Sequence, residues 1–173
     1  MGQYLKSNLI AGLRTSPLHG LKHNILLFIG FAFVALSIGF STGLFKFEVL
    51  DSELMIFLPF ALFIFPSLFE EAIFRGLLIP NNTRQAGTKK ILLYSFISTV
   101  LFVVWHPLNA LTINPGAKDF FLDPWFLLIA FVLGGVCSLG YIFSRSLWVP
   151  IIMHWLTVII WVLLLGGRNL ILE

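Results

Sequence analysis

The stretch FPSLFEEAIFRGLLIP, residues 65–80, carries Glu70, Glu71 and Arg75 inside an otherwise apolar run. An ionised side chain within a membrane span costs about 2.5–3.5 kcal/mol on insertion scales, so such residues face a bundle interior or a wet cavity. Glu71 and Arg75 stand four apart with the acid first, the favourable order for a helical ion pair. Glu70 lies about 100° round the helix from Glu71 and has no cation three or four residues away. A carboxylate without a counter-ion in an apolar pocket is suited to take a proton from water near neutral pH. Two imidazoles follow in later apolar runs, His106 in FVVWHP and His154 in WVPIIMHWLTV. Phe102 sits one turn before His106 on the same face, and Pro150, suited to a helix's first turn, precedes His154 by one turn.

A structural reading accompanies each group. Glu71 and Arg75 could simply fix helix register as a buried pair, with Glu70 at a solvated helix end. A lone histidine in such a run reads as a hydrogen-bonded interfacial residue. Two histidines together with an unpaired glutamate, all in membrane segments, favour chemistry instead.

The elements that must position these groups follow from composition. The chain has 173 residues, 58 % hydrophobic and only 11 % charged, with a mean hydropathy of +0.97, far above a soluble domain. Apolar runs fall at about 25–41, 54–79, 91–106, 125–143 and 147–165, and each crossing of a bilayer needs about 20 such residues. No strand alternation is present, and only helices or closed barrels span lipid. The expected fold is an all-α polytopic transmembrane helical bundle of about five main spans. The second run is too long for one untilted helix and contains Pro59 and Pro66, so a break or kink is expected near Pro66 with a fresh helical start after it.

That start sets Glu70 near the beginning of one helix, while His106 lies near the end of its antiparallel neighbour, so the two share a depth. Simple up-and-down counting leaves the level of His154 open. Residues 80–90 and 114–124 read as polar loops, and PLNALTI (107–113) as a segment lying partly in the interface or re-entering the membrane. Residues 1–24 form a basic leader, able to lie on the headgroups as an amphipathic helix or to stay solvated, ahead of a single transmembrane domain over 25–173.

Lys6, Arg14, Lys22, Arg84, Lys89, Lys90 and Arg145 fall on one side of this topology and Lys46, Lys118 and Arg168 on the other, which predicts a cytoplasmic N-terminus. The net charge of +3 fits these loops, and no basic patch interleaved with aromatics points to nucleic acid. The lone Cys137 has no partner for an intrachain disulfide. Trp105, Trp125, Trp148, Trp155 and Trp161 fit anchoring or packing and receive no function.

In this order, Glu70-Glu71-x-x-x-Arg75, Phe102-x-x-x-His106 and a helix carrying His154 resemble the successive motifs of the CAAX protease and bacteriocin-processing family of intramembrane glutamic-type endopeptidases. The type II CAAX prenyl endopeptidases belong to that family. The likeness runs from about residue 65 to 160 and includes Phe-Arg-Gly (74–76) directly after the glutamates.

The resemblance implies an intramembrane endopeptidase in which Glu70 activates a water, His106 helps to hold and polarise it, and His154 donates to the oxyanion. Glu71, Arg75 and Phe102 would be structural support. The family usually has Asn or Asp four residues after the last histidine; here that position is Val158. Thr157 and Asn109 are the nearby groups able to substitute. Two histidines and a glutamate could also form a His₂Glu zinc site, but no H-E-x-x-H helix is present, so no cofactor is expected.

The implied partners are the lipid bilayer and a substrate that is either a prenylated protein C-terminus or a small peptide, in a bacterial-type plasma or internal membrane. Two other classes stand beside the enzyme. One is a weak or inactive immunity or assembly protein that keeps the motif as a polar network. The other is a proton-coupled transporter, for which the chain is small and shows no inverted repeat.

Overall fold

The structure, a computed structural model, describes residues 2–82 and 86–167; Arg84 and Arg168 of the charge pattern lie outside them. Helix α1 (Gly2–Arg14) precedes α2 (Leu21–Thr42), which is bracketed by Gly20 and Gly43 in left-handed conformation. A broken segment follows, made of α3 (Leu58–Leu62), a widened π-helical stretch (Phe63–Leu68), α4 (Phe69–Glu71) and a second widened stretch (Ala72–Leu77). Then come α5 (Thr88–Thr112), the short α6 (Lys118–Phe121), α7 (Pro124–Ser144) and α8 (Trp148–Leu164).

The chain is a helical membrane bundle. Helices α2, α5 and α7 are long and apolar enough to cross a bilayer. Helix α8, at 17 residues, reaches about 25 Å at 1.5 Å per residue. Helix α7 is central: it packs against α2, α5 and α8, and its Gly134, Ser138, Gly140 and Ser144 let neighbours approach closely, as small residues do between membrane helices.

The break falls where the prolines predict it. Phe65 leaves the helix at φ −135°, ψ 116°, the extended geometry that a following proline imposes. Main-chain groups released by the widened turns must be satisfied inside the bundle, because lipid offers no partner. Side chains do this: Ser67 donates to the Leu62 carbonyl at 2.8 Å and Ser98 to that of Phe74 at 2.6 Å. Asn8 donates to the carbonyls of Gly76 and Ile79, both at 2.8 Å.

Those last bonds join α1 to the bundle. Leu147 N–H donates to Gly12, Ser146 Oγ to Thr15 and Trp148 Nε1 to Leu13. The leader, the start of the 80–90 loop and the turn at Arg145 therefore meet at one end, where Asn81 also donates to the Arg145 carbonyl. At the other end, Lys46, Glu48 and Leu50 donate main-chain bonds to Leu165, Leu164 and Leu163, strapping the 43–57 connection along the end of α8.

The expected end of the third run at His106 is corrected. Helix α5 continues through Pro107 to Thr112, so 107–112 is helix and not a re-entrant loop. A proline costs the helix one donor, the one the Val103 carbonyl would take, and membrane helices tolerate this within a bundle; the His106 ring meets the Phe102 carbonyl one turn earlier.

Candidate active site

Helix α4 is a single turn between two widened stretches, and it carries both glutamates inward. Glu71 and Arg75 are fully buried and Glu70 is 5 % exposed. The Glu71 Oε1 atom accepts from Arg75 Nη1 at 2.8 Å and lies 3.0 Å from His154 Nδ1. Arg75 also donates from Nη2 to the Gly134 carbonyl at 2.9 Å, and its guanidinium sits 4.5 Å over the Phe102 ring. This cation is thus held by a carboxylate, a main-chain dipole and a π face, which is how a buried charge avoids its desolvation penalty.

Glu70 is held differently. Its Oε1 accepts from the Trp105 indole at 3.0 Å. Its Oε2 has no hydrogen-bond partner and stands 4.0 Å from His154 Nε2.

His106 Nδ1 lies 2.9 Å from the Phe102 carbonyl. A carbonyl only accepts, so Nδ1 carries the proton and Nε2 of the neutral ring is an acceptor. Phe102, Phe121 and Phe126 surround the ring with centroids 4.9, 5.1 and 5.4 Å away, which limits its rotation. Phe102 also touches the His154 ring at 5.5 Å, so one phenyl group spaces both imidazoles and the arginine.

These groups open onto one cavity of about 320 Å³, room for several waters at about 30 Å³ each. Glu70, His106 and His154 line it together, and so do Asn109, Thr157 and Val158. The level of His154, open from sequence, is that of Glu70. The two candidate substitutes differ: the Thr157 hydroxyl donates to the Met153 carbonyl at 2.8 Å, whereas Asn109 Oδ1 has no partner. Most of the remaining wall is apolar, with Phe28, Phe31 and Ala35 of α2 facing Phe120 and Trp161.

Two ligands on a tetrahedral zinc at about 2.0–2.2 Å lie roughly 3.3 Å apart, closer than the 4.0 Å between Glu70 Oε2 and His154 Nε2. Among the described residues no three His, Cys, Asp or Glu side chains are grouped as a metal site.

Sequence reasoning missed Trp105 as a partner of Glu70 and His154 as a second partner of Glu71. The only signal for Trp105 was its place beside His106, indistinguishable from an anchoring aromatic.

Residues 52–160 match the protein-family model described as type II CAAX prenyl endopeptidase Rce1-like. That span covers more than half of the chain and includes every residue of the cluster from Glu70 to His154. No curated protein and no solved structure matches the chain.

Proposed function

The chain belongs to the Rce1-like family of type II CAAX prenyl endopeptidases, and on that premise we propose that it hydrolyses a peptide bond with a water activated by Glu70. The observation that carries this reading is the Glu70 carboxylate, with one oxygen held by Trp105 and the other unpaired on a cavity shared with His106 and His154.

A water in that cavity bonds to Glu70 Oε2 and to His106 Nε2, which accept its two protons. As the water oxygen attacks the scissile carbonyl, one proton passes to Glu70. The carbonyl oxygen becomes an oxyanion and takes a hydrogen bond from His154 Nε2, a step that uses the doubly protonated ring, with Nδ1 donating to Glu71 at the same time. Collapse of the tetrahedral intermediate breaks the C–N bond, and Glu70 returns its proton to the leaving amine. Asn109 is the second oxyanion donor in place of the missing residue at Val158. Asn109 lines the cavity and its Nδ2 amide is the group able to donate, while the Thr157 proton is spent on Met153.

The apolar remainder of the cavity suits a prenylated protein C-terminus or a small hydrophobic peptide. The charge pattern supports a cytoplasmic N-terminus.

Purified protein in detergent, given quenched peptides with and without a prenyl group, should cleave at least one of them, and His106→Ala and His154→Ala should abolish the cleavage. Cleavage that survives in both variants would overturn the assignment. The second reading, a polar network kept without catalysis, is favoured by the apolar Val158 on the cavity wall. It requires that neither the natural chain nor Val158→Asn cleave any peptide.

A further inference from the structure

We propose that Trp105 is a positioning residue for the base, holding Glu70 so that Oε2 alone is presented to the cavity; this rests on the general-base reading of Glu70. Three observations carry it. The indole N–H of Trp105 donates to Glu70 Oε1 at 3.0 Å, and among the described residues no other hydrogen bond to that carboxylate is present. The other oxygen, Oε2, is unpaired and near His154. Trp105 does not line the cavity that Glu70, His106 and His154 share.

The contrast with neighbouring tryptophans is informative. The N–H groups of Trp148 and Trp155 donate to the main-chain carbonyls of Leu13 and Pro59, bonds that hold elements together. Trp105 spends its donor on a side chain of the site.

The final torsion of a glutamate is broad and nearly two-fold, so an unrestrained carboxylate would present either oxygen over a range of angles. One charge-assisted bond to Oε1 removes that freedom, and a base held in attacking geometry is worth far more than a mobile one. Trp105 and His106 are consecutive on α5, about 100° apart. One helical turn thereby fixes both the orientation of the base and the imidazole that holds the water.

The test replaces Trp105 by Phe and, separately, by 3-benzothienylalanine, which keeps the fused ring but has sulfur where the N–H stood. Both should lower kcat by about 10- to 100-fold, the size expected for a hydrogen bond to a charged group, with KM within about twofold. The benzothienyl variant should also keep the natural thermal unfolding profile, which separates the lost donor from lost packing. Natural kcat in the benzothienyl variant, or a loss confined to KM, would overturn the proposal. Glu70→Gln, assayed alongside, separates the two levels. An inactive Glu70→Gln with a fully active benzothienyl variant removes only the role of Trp105; an active Glu70→Gln removes the base itself.

Discussion

His154 Nδ1 lies 3.0 Å from Glu71 Oε1, the same oxygen that Arg75 Nη1 reaches at 2.8 Å. The carboxylate that pairs with Arg75 within its own helical segment thus also sets the ring on α8. Removing it strips a counter-ion from a fully buried guanidinium, a loss of about 3–5 kcal/mol. Glu71→Ala should lower thermal stability by that order and reduce turnover, with Glu71→Gln milder on both counts. Unfolding in detergent and kcat measured together check this; an alanine variant as stable as the natural protein would show that the pair does not hold the fold.

Gly134 lets α7 approach Arg75. A Cβ there would meet Thr99 Cγ2 at 3.0 Å, Arg75 Nη2 at 3.3 Å and Phe102 Cδ1 at 3.3 Å, whereas one at Gly135 would meet nothing within 4 Å. Overpacking of this kind costs about 1–3 kcal/mol. Gly134→Ala should therefore lower the unfolding temperature and Gly135→Ala leave it unchanged or slightly raised. Equal effects of the two substitutions would contradict the packing described.

The apolar Val158 lies on the cavity wall, one turn beyond His154. An oxyanion donor is worth about 10²–10³ in turnover. Val158→Asn should raise kcat, and Asn109→Leu should lower it by about that range while Thr157→Val changes it little. The reverse ranking of Asn109 and Thr157 in single-variant kinetics would move the donor to α8.

A water activated by protein groups alone needs no metal. Prolonged dialysis against a strong chelator should leave kcat unchanged, and added zinc should not raise it. Loss of activity on dialysis, restored by zinc, would require a different water ligand.

Much of this architecture was legible in the sequence because the strongest signals are physical necessities. A break at Pro66 follows from proline's missing donor and its effect on Phe65. The shared depth of Glu70 and His106 follows from antiparallel succession. The widened turns around Glu70 were not legible, since besides the local bond from Ser67 to Leu62 they depend on Ser98 and Asn8 reaching carbonyls from other parts of the chain. Helix α5 outran its proline because a membrane helix packed in a bundle tolerates the one donor that Pro107 removes. Apart from the Asn8 side chain, the docking of α1 rests on main-chain carbonyls of Gly12, Leu13 and Thr15, which leave no trace in residue type.

The most direct measurement is the single-turnover cleavage rate of Glu70→Gln, a substitution that keeps the acceptor for Trp105 and the side-chain volume but removes the base. A positioned general base contributes about 10²–10⁴-fold. The rate should fall by at least that much, with unfolding temperature and substrate affinity close to those of the natural protein. A rate within tenfold of the natural enzyme would contradict the assignment of Glu70.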